Sequence, residues 1–192
     1  HLVGQGSCEA NAKGPLCALC DDGYVQPEER STFCIPCAPG KYRLNATACA
    51  ECPAGYLTGM LANEDCDECE VGTYQNEDGS TTCADCPAGR FGNASGLEAA
   101  GECHACPAGS FCSTGAQQPE QCSAGTVQPA AGQATCAECV AGKYQDRPGN
   151  TTCDDCIAGS YCEEGASAAL PCHEGPNKSP TMKAISRKIT AS

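Results

Sequence analysis

The feature that most constrains this chain is a cysteine followed three residues later by a glycine. The pair recurs at intervals of 15 to 20 residues along the sequence. Its ten copies are Cys20/Gly23, Cys37/Gly40, Cys52/Gly55, Cys69/Gly72, Cys86/Gly89, Cys106/Gly109, Cys122/Gly125, Cys139/Gly142, Cys156/Gly159 and Cys172/Gly175. The unit is clearest over residues 69–86, which read CEVGTYQNEDGSTTCADC. Self-similarity at so short a period predicts a repeat protein built from small supersecondary units.

Cysteine content also decides how such units can be stable. The 192 residues include 21 cysteines, whereas Leu, Ile, Val and Phe together make up about a tenth of the chain. So little large apolar surface with a net charge of −13 would by itself predict disorder. A disulfide that closes a loop of about 15 residues contributes roughly 3 kcal/mol. The sequence therefore predicts a small disulfide-rich fold, an elongated tandem array of about nine short β-hairpin modules with little regular secondary structure and no large core.

Each unit has the same internal order. The glycine permits a tight turn beside a disulfide, and an aromatic residue follows one or two positions later. Polar turns such as NEDGSTTC and RPGNTTC precede the closing cysteine, which is hairpin-turn chemistry. We expect the aromatic residues to cover the neighbouring disulfide and to supply each module's main apolar contact. They are Tyr24, Tyr42, Tyr56, Tyr74, Phe91, Phe111, Tyr144 and Tyr161.

The surroundings of the chain follow from its chemistry. Many disulfides require an oxidising compartment, so the sequence predicts an extracellular or cell-surface protein. Three acceptor sequons, at Asn45, Asn93 and Asn150, fall in the polar turns and predict N-linked glycans, while a fourth at Asn177 is followed by Pro180. No apolar run is long enough to span a membrane, and no signal peptide precedes His1, which we expect to begin a mature or excised segment. The acidic balance disfavours nucleic acid as a partner.

The units resemble a known family. The pattern Cys-x-x-Cys-Pro-Ala-Gly followed by an aromatic residue, as in residues 49–56, 83–91 and 103–111, resembles the ephrin-receptor-like cysteine-rich repeat. It is similar, more loosely, to TNF-receptor and furin-like modules. The resemblance covers residues 34–175 and is specific for the type of module but says little about function. Such repeats occur in receptor ectodomains, secreted matrix proteins and surface or filament glycoproteins of protists and algae, and the Ala- and Gly-rich composition is most similar to the last group.

The first residues differ. The run GPLCALCDDGYVQPEERSTFC, with its Gly14, Gly23 and Tyr24, resembles the second half of a laminin-type EGF-like module. That resemblance implies the bridges Cys8–Cys17 and Cys20–Cys34. The predicted domains are thus 1–34, a partial EGF-like module; 35–175, tandem ephrin-receptor-like repeats; and 176–192, a basic tail or linker.

Spacing favours a forward ladder for the remaining cysteines, in which the second cysteine of one Cys-x-x-Cys pair bonds the first of the next. The pairs are Cys37–Cys49, Cys52–Cys66, Cys69–Cys83, Cys86–Cys103, Cys122–Cys136 and Cys139–Cys153. Two longer units 50 residues apart would then close short loops through Cys106–Cys112 and Cys156–Cys162. The alternative, Cys112–Cys122 and Cys162–Cys172, leaves Cys106 and Cys156 without partners, so connectivity stays open. In the ladder Cys172 begins a module whose partner cysteine is missing.

Other chemistries are weaker alternatives. Two Cys-x-x-Cys pairs 13 residues apart would suit zinc in a reducing compartment, but the glycosylation sequons argue against a reducing compartment. Acidic runs such as 65–70 lack an Asp-x-Asp-x-Asp-Gly loop for calcium. The three histidines form no catalytic arrangement. We expect no enzyme activity, no cofactor and no metal.

The functional prediction is an extracellular structural or adhesive glycoprotein segment, a stiff disulfide-laddered rod within a fibre, filament or cell coat. Its expected partners are other extracellular or cell-surface proteins, including copies of itself in a polymer. The alternative is a receptor-type ectodomain that binds a protein ligand along its flank, with the 103–122 unit as the first place to look.

Overall fold

The chain folds as a succession of two-stranded antiparallel hairpins. The computed structural model describes residues 11–13, 19–28 and 31–172. Within them twenty strands pair consecutively into ten separate two-stranded sheets, numbered here hairpin 1 to hairpin 10. No helix in this part of the chain is long and apolar enough to cross a membrane. The predicted fold class is confirmed.

The strands of the first five hairpins are β1 (Ala12–Lys13) with β2 (Leu19–Cys20), β3 (Tyr24–Val25) with β4 (Ile35–Pro36), β5 (Lys41–Arg43) with β6 (Cys49–Glu51), β7 (Tyr56–Leu57) with β8 (Asp67–Glu68) and β9 (Thr73–Tyr74) with β10 (Ala84–Asp85). Those of the last five are β11 (Arg90–Phe91) with β12 (His104–Ala105), β13 (Ser110–Phe111) with β14 (Glu120–Gln121), β15 (Thr126–Val127) with β16 (Ala137–Glu138), β17 (Lys143–Tyr144) with β18 (Asp154–Asp155) and β19 (Ser160–Tyr161) with β20 (Leu170–Pro171). One 3-10 turn, Ala100–Glu102, lies in the longer loop of hairpin 6.

The strands of the hairpins occupy similar positions relative to the motif glycine and the cysteines. The first strand begins directly after the motif glycine in hairpins 2 to 10. The second strand lies within a Cys-x-x-Cys pair in most hairpins, whereas in hairpins 7 and 10 it precedes Cys122 or Cys172 without such a pair. At the base, the opening cysteine of the next hairpin donates its N–H to the motif glycine's carbonyl, as Cys69 does to Gly55 at 2.8 Å. Strands of two or three residues are too short to be stable alone, so the disulfides and the contacts between hairpins determine stability.

The structure contains one hairpin more than the predicted count of about nine. The additional one is hairpin 1, in which Asn11 stands three residues after Cys8, where the other units have glycine. Asn11 has φ of +66°, the left-handed conformation that asparagine tolerates better than most residues. The glycine-based motif therefore missed this unit.

Candidate functional site

The disulfides form one continuous ladder. All nine described bridges join cysteines within single hairpins, with Cα separations of 5.7 to 5.9 Å. The pairs are Cys20–Cys34, Cys37–Cys49, Cys52–Cys66, Cys69–Cys83, Cys86–Cys103, Cys106–Cys112, Cys122–Cys136, Cys139–Cys153 and Cys156–Cys162. They are the pairs of the forward ladder, and the alternative Cys112–Cys122 and Cys162–Cys172 is not formed. Cys172 is exposed and unbonded, and the predicted Cys8–Cys17 bridge lies outside the described residues.

The core of the described residues consists mainly of disulfide-bonded cysteines and contains few large apolar side chains. The most buried side chains of the described residues are almost all cysteines, with Cys52, Cys69 and Cys86 at 0% exposure. The aromatic residues that were expected to provide the main apolar contact are only half-buried, and Tyr161 in the last hairpin is 46% exposed. The aromatic rings therefore lie at the edge of a core whose centre is the disulfides.

Successive hairpins are joined through their backbones. Each motif glycine from Gly40 to Gly142 donates its N–H to a carbonyl of the next hairpin, as Gly55 does to Gln75 and Gly125 does to Gln145, both at 2.8 Å. In the opposite direction, a residue in the loop of the next hairpin donates to the opening cysteine's carbonyl, as Gly79 does to Cys52 at 2.8 Å. Because the donors and acceptors are backbone groups, this interface repeats whatever the flanking side chains are.

The motif glycines also contact the hairpin two places further along. Gly55 has φ of +83°, and a Cβ added to it would lie 2.5 Å from the carbonyl oxygen of Gly96, which belongs to the loop of hairpin 6. The same overlap, with the loop carbonyl two hairpins further on, is found at Gly23, Gly40, Gly72, Gly89, Gly109 and Gly125. No real Cβ could be accommodated there. The glycine is therefore required for close approach between hairpins as well as for its turn.

The pattern ends at the last two hairpins. Gly142 and Gly159 have φ of +89° and +83°, yet no described atom lies within 4 Å of an added Cβ at either position. Both glycines are exposed, whereas the interior motif glycines are buried. Each motif glycine is thus covered only where two further hairpins follow among the described residues.

A glutamine side chain bonds within the loops of four hairpins and is buried in three of them, whereas Gln75 is half-buried. The sixth residue after the opening cysteine is Gln26, Gln75, Gln128 or Gln145, and its side-chain Nε2 donates to a loop carbonyl close to the closing cysteine. In Gln145 that bond, to Thr152, is 2.8 Å, and Oε1 accepts the N–H of Arg147 at 3.1 Å. Sequence reasoning missed this contact, although glutamine at the same spacing in four units is a visible signal.

Hairpin 4 departs from that arrangement. Its equivalent residue is Thr58, which is fully buried, and the Thr58 Oγ1 atom has no hydrogen-bond partner. A buried hydroxyl without a partner costs roughly 1–3 kcal/mol. The Thr58 hydroxyl therefore lowers the free energy of unfolding of the stack.

The three sequons lie in hairpin loops. Asn45 is exposed, and its Oδ1 accepts hydrogen bonds from the N–H and Oγ1 of Thr47 at 2.9 and 3.2 Å. Asn93 is exposed in the loop of hairpin 6, and Asn150 is half-buried with its Nδ2 donating to Arg147 at 3.3 Å. Asn177 lies outside the described residues.

Solvent-facing charges pair across the strands. Lys41 lies 3.2 Å from Glu51, its partner in register. The negative charge of Glu68, together with the hydrogen bond it accepts from Tyr56 at 3.3 Å, raises the pKa of the Tyr56 phenol. The hydrogen bond from Lys13 to Asp21, reinforced by that carboxylate's charge, likewise raises the pKa of Lys13. These are surface pairs with little effect on stability.

The described residues contain no cluster of side chains that could hold a metal ion. No group of three or more His, Cys, Asp or Glu side chains converges there, including the acidic run 65–70. Each complete Cys-x-x-Cys pair of hairpins 3 to 5 contributes its two sulfurs to two different disulfides, an arrangement that does not bring four thiolates together for zinc. His104, inside one such pair, lies 5.6 Å from the ring of Phe91.

Comparison with known proteins locates the resemblance. Residues 55–96 match the family described as tyrosine-protein kinase ephrin type A/B receptor-like. The match covers most of hairpin 4, all of hairpin 5 and part of hairpin 6, which agrees with the predicted repeat type. A comparison with curated proteins found no significant match. The disulfide content and this ectodomain module fit an extracellular location.

Proposed function

We propose that this chain is a segment of an extracellular structural or adhesive glycoprotein and forms a stiff, disulfide-laddered spacer within a fibre, filament or cell coat. The observation that carries the proposal is the double contact of the motif glycine. Gly55 bonds to hairpin 5 and packs against the Gly96 carbonyl of hairpin 6. The motif glycine of each hairpin from 2 to 8 therefore contacts the second of its two successors.

Contacts of that range oppose bending. In an array where each unit touches only its neighbour, a single weakened junction can act as a hinge. Here a bend between hairpins 4 and 5 would also displace the loop of hairpin 6 from Gly55, because that carbonyl fits only where no Cβ stands. A rod of fixed shape is the expected result, and a spacer is the role that such a rod serves. The proposal assigns no catalytic activity to it.

The partners proposed are other extracellular or cell-surface proteins, including copies of the same chain in a polymer, together with N-linked glycans. Asn45 and Asn93 are exposed in their loops, which supports their glycosylation.

A receptor-type ectodomain is the second candidate, and one observation favours it. Leu44, Met60 and Leu61 in the loops of hairpins 3 and 4 are 58%, 70% and 61% exposed. The two loops are adjacent, since Arg43 donates its N–H to Asn63 at 3.1 Å. Exposed apolar clusters are typical of protein-binding sites. The loop of hairpin 7, the site first expected from the sequence, is polar where it is exposed.

Distance measurement between spin labels tests the stiff-spacer proposal. The exposed Ala84 and Ala137, on the second strands of hairpins 5 and 8, would be replaced by a non-cysteine spin-labelled amino acid so that the ladder is undisturbed. A stiff stack gives one narrow distance distribution, unchanged when glycans are removed. A broad distribution, as flexibly linked units give, would reject the spacer. In that case, saturable 1:1 binding of a single cell-surface protein that is lost in a Met60→Ser variant would favour the receptor.

A further inference from the structure

The nine described disulfides lie in series along the chain. Each bridge joins the opening cysteine of a hairpin to a later cysteine of the same hairpin, and most consecutive bridges are separated only by the two residues inside a Cys-x-x-Cys pair. The bridged cysteines are 12, 14 or 17 residues apart in seven hairpins and 6 apart in hairpins 7 and 10. A force applied to the two ends of the chain therefore passes across each bridge, and the hairpin loop behind it is not stretched.

The bridges greatly reduce the distance to which the chain can be extended. Between Cys20 and Cys172, roughly 110 of roughly 150 residues lie in loops closed by bridges, and an extended chain spans about 3.4 Å per residue. Without bridges this stretch could extend to roughly 520 Å. With the bridges intact, about 40 residues and nine spans of under 6 Å remain in the path, so its greatest extension is roughly 190 Å.

Hairpins 7 and 10 differ from the others. Their bridges, Cys106–Cys112 and Cys156–Cys162, close only six residues and leave 112–122 and 162–172 in the path of the force. Each of these segments contains the second strand of its hairpin. Each can span at most about 34 Å when the two strands separate, against about 10 Å for a Cys-x-x-Cys link. The two hairpins are thus the extensible points of the ladder.

We infer that the chain acts as a tension-bearing tether whose extension is capped by the ladder, with two extensible elements at hairpins 7 and 10. The inference rests on the proposed role as an extracellular spacer and adds to it that the spacer transmits pulling force. Breaking the hydrogen bonds between hairpins under load lengthens the tether only to the covalent limit. Only reduction of the bridges lengthens it further.

Single-molecule pulling tests the inference. The full chain, with Cys172→Ser to prevent thiol exchange, would be held by tags at both termini and extended first without reductant. Dithiothreitol is then added, which reduces each bridge to two thiols as it is itself oxidised to its cyclic disulfide. Each 14-residue bridge should release a step of about 42 Å, and each of the two 6-residue bridges a step of about 15 Å. A further step of about 25 Å would report the predicted Cys8–Cys17 bridge.

Two matched variants locate the effect. Cys69→Ser with Cys83→Ser should add about 42 Å to the greatest extension without reductant, whereas Cys106→Ser with Cys112→Ser should add only about 15 Å. Equal increments, or an oxidised molecule that extends as far as the reduced one, would overturn the inference. If a variant fails to fold, the step sizes of the unsubstituted chain decide the question. A capped extension together with broad spin-label distances would reject the stiff spacer and leave the tether standing.

Discussion

Replacing Gly125 with alanine tests whether the stack depends on contact between hairpins two places apart. Gly125 is buried at φ of +88°, and an added Cβ would overlap the carbonyl group of Gly165, with the carbonyl carbon at 3.0 Å. Gly142 has almost the same backbone, φ of +89°, but no described atom lies within 4 Å of its added Cβ. The two glycine-to-alanine variants therefore share the conformational strain and differ in the overlap.

The difference can be worked from the bonds that the overlap would break. An alanine in the left-handed region costs about 1–2 kcal/mol, which both variants lose. To relieve the overlap at residue 125, the loop of hairpin 10 must move. Two bonds would be lost, from Gly165 N–H to Cys139 at 2.7 Å and from Gln145 N–H to Ala166 at 3.1 Å. At about 1 kcal/mol each, the Gly125→Ala variant loses about 3–4 kcal/mol in total.

Amide hydrogen exchange with the disulfides intact is the suitable measurement, because it reports each hairpin separately. In the Gly125→Ala variant the Gly165 amide should exchange about 30-fold faster, the factor that corresponds to about 2 kcal/mol. In the Gly142→Ala variant the same amide should keep its rate. Similar rates at Gly165 in the two variants would refute the assignment of the motif glycine to close packing between hairpins.

Three further predictions follow from the loops. Gln145→Ala removes two partly buried hydrogen bonds and should destabilise hairpin 9 by about 2 kcal/mol, measured by denaturant unfolding. Gln118→Ala, at an exposed position, should change the stability little, and equal effects would reject the role of Gln145. Thr58→Val keeps the shape of the side chain and removes the hydroxyl that has no partner, so the free energy of unfolding should rise by about 1 kcal/mol in a denaturant titration. A loss of stability would show that the Thr58 Oγ1 atom is hydrogen-bonded. Asn45→Gln and Asn93→Gln should each lower the intact mass of protein secreted from a glycosylating host by one glycan, and an unchanged mass would reject that sequon.

The covalent frame could be predicted from sequence because it depends on spacing. The regular recurrence of cysteines favoured the forward ladder, although spacing alone left Cys112–Cys122 and Cys162–Cys172 as an alternative. The fold class followed from the same pattern, since strands of two residues between cysteines cannot form any larger sheet. The predicted boundaries at 34 and 175, the EGF-like module and the basic tail stay predictions.

The packing between hairpins could not be predicted in the same way. A glycine three residues after a cysteine indicates a turn, but the carbonyl that covers Gly55 comes from Gly96, and only the three-dimensional path brings them together. The expected role of covering the neighbouring disulfide stays a prediction for the aromatic residues, which are mostly half-buried, while the most buried positions are cysteines. The four loop glutamines were missed because glutamine is a surface residue in most proteins, and only its repetition at one spacing distinguishes it here.

In this fold backbone groups and disulfides hold the hairpins together, whereas the exposed side chains face solvent, and this separation supports the proposed role. The contacts that hold hairpins together use motif glycines, loop carbonyls and cysteine backbones, and the covalent links use sulfur. The two residues that precede an opening cysteine are exposed and differ in polarity between hairpins, as in Ile35–Pro36, Asp67–Glu68 and Leu170–Pro171. We expect substitutions there to change the charge and polarity of the flank and to leave the repeated bonds between hairpins in place, because those bonds join backbone groups. A spacer can therefore keep its length and stiffness while the surface that it presents to partners varies from one hairpin to the next.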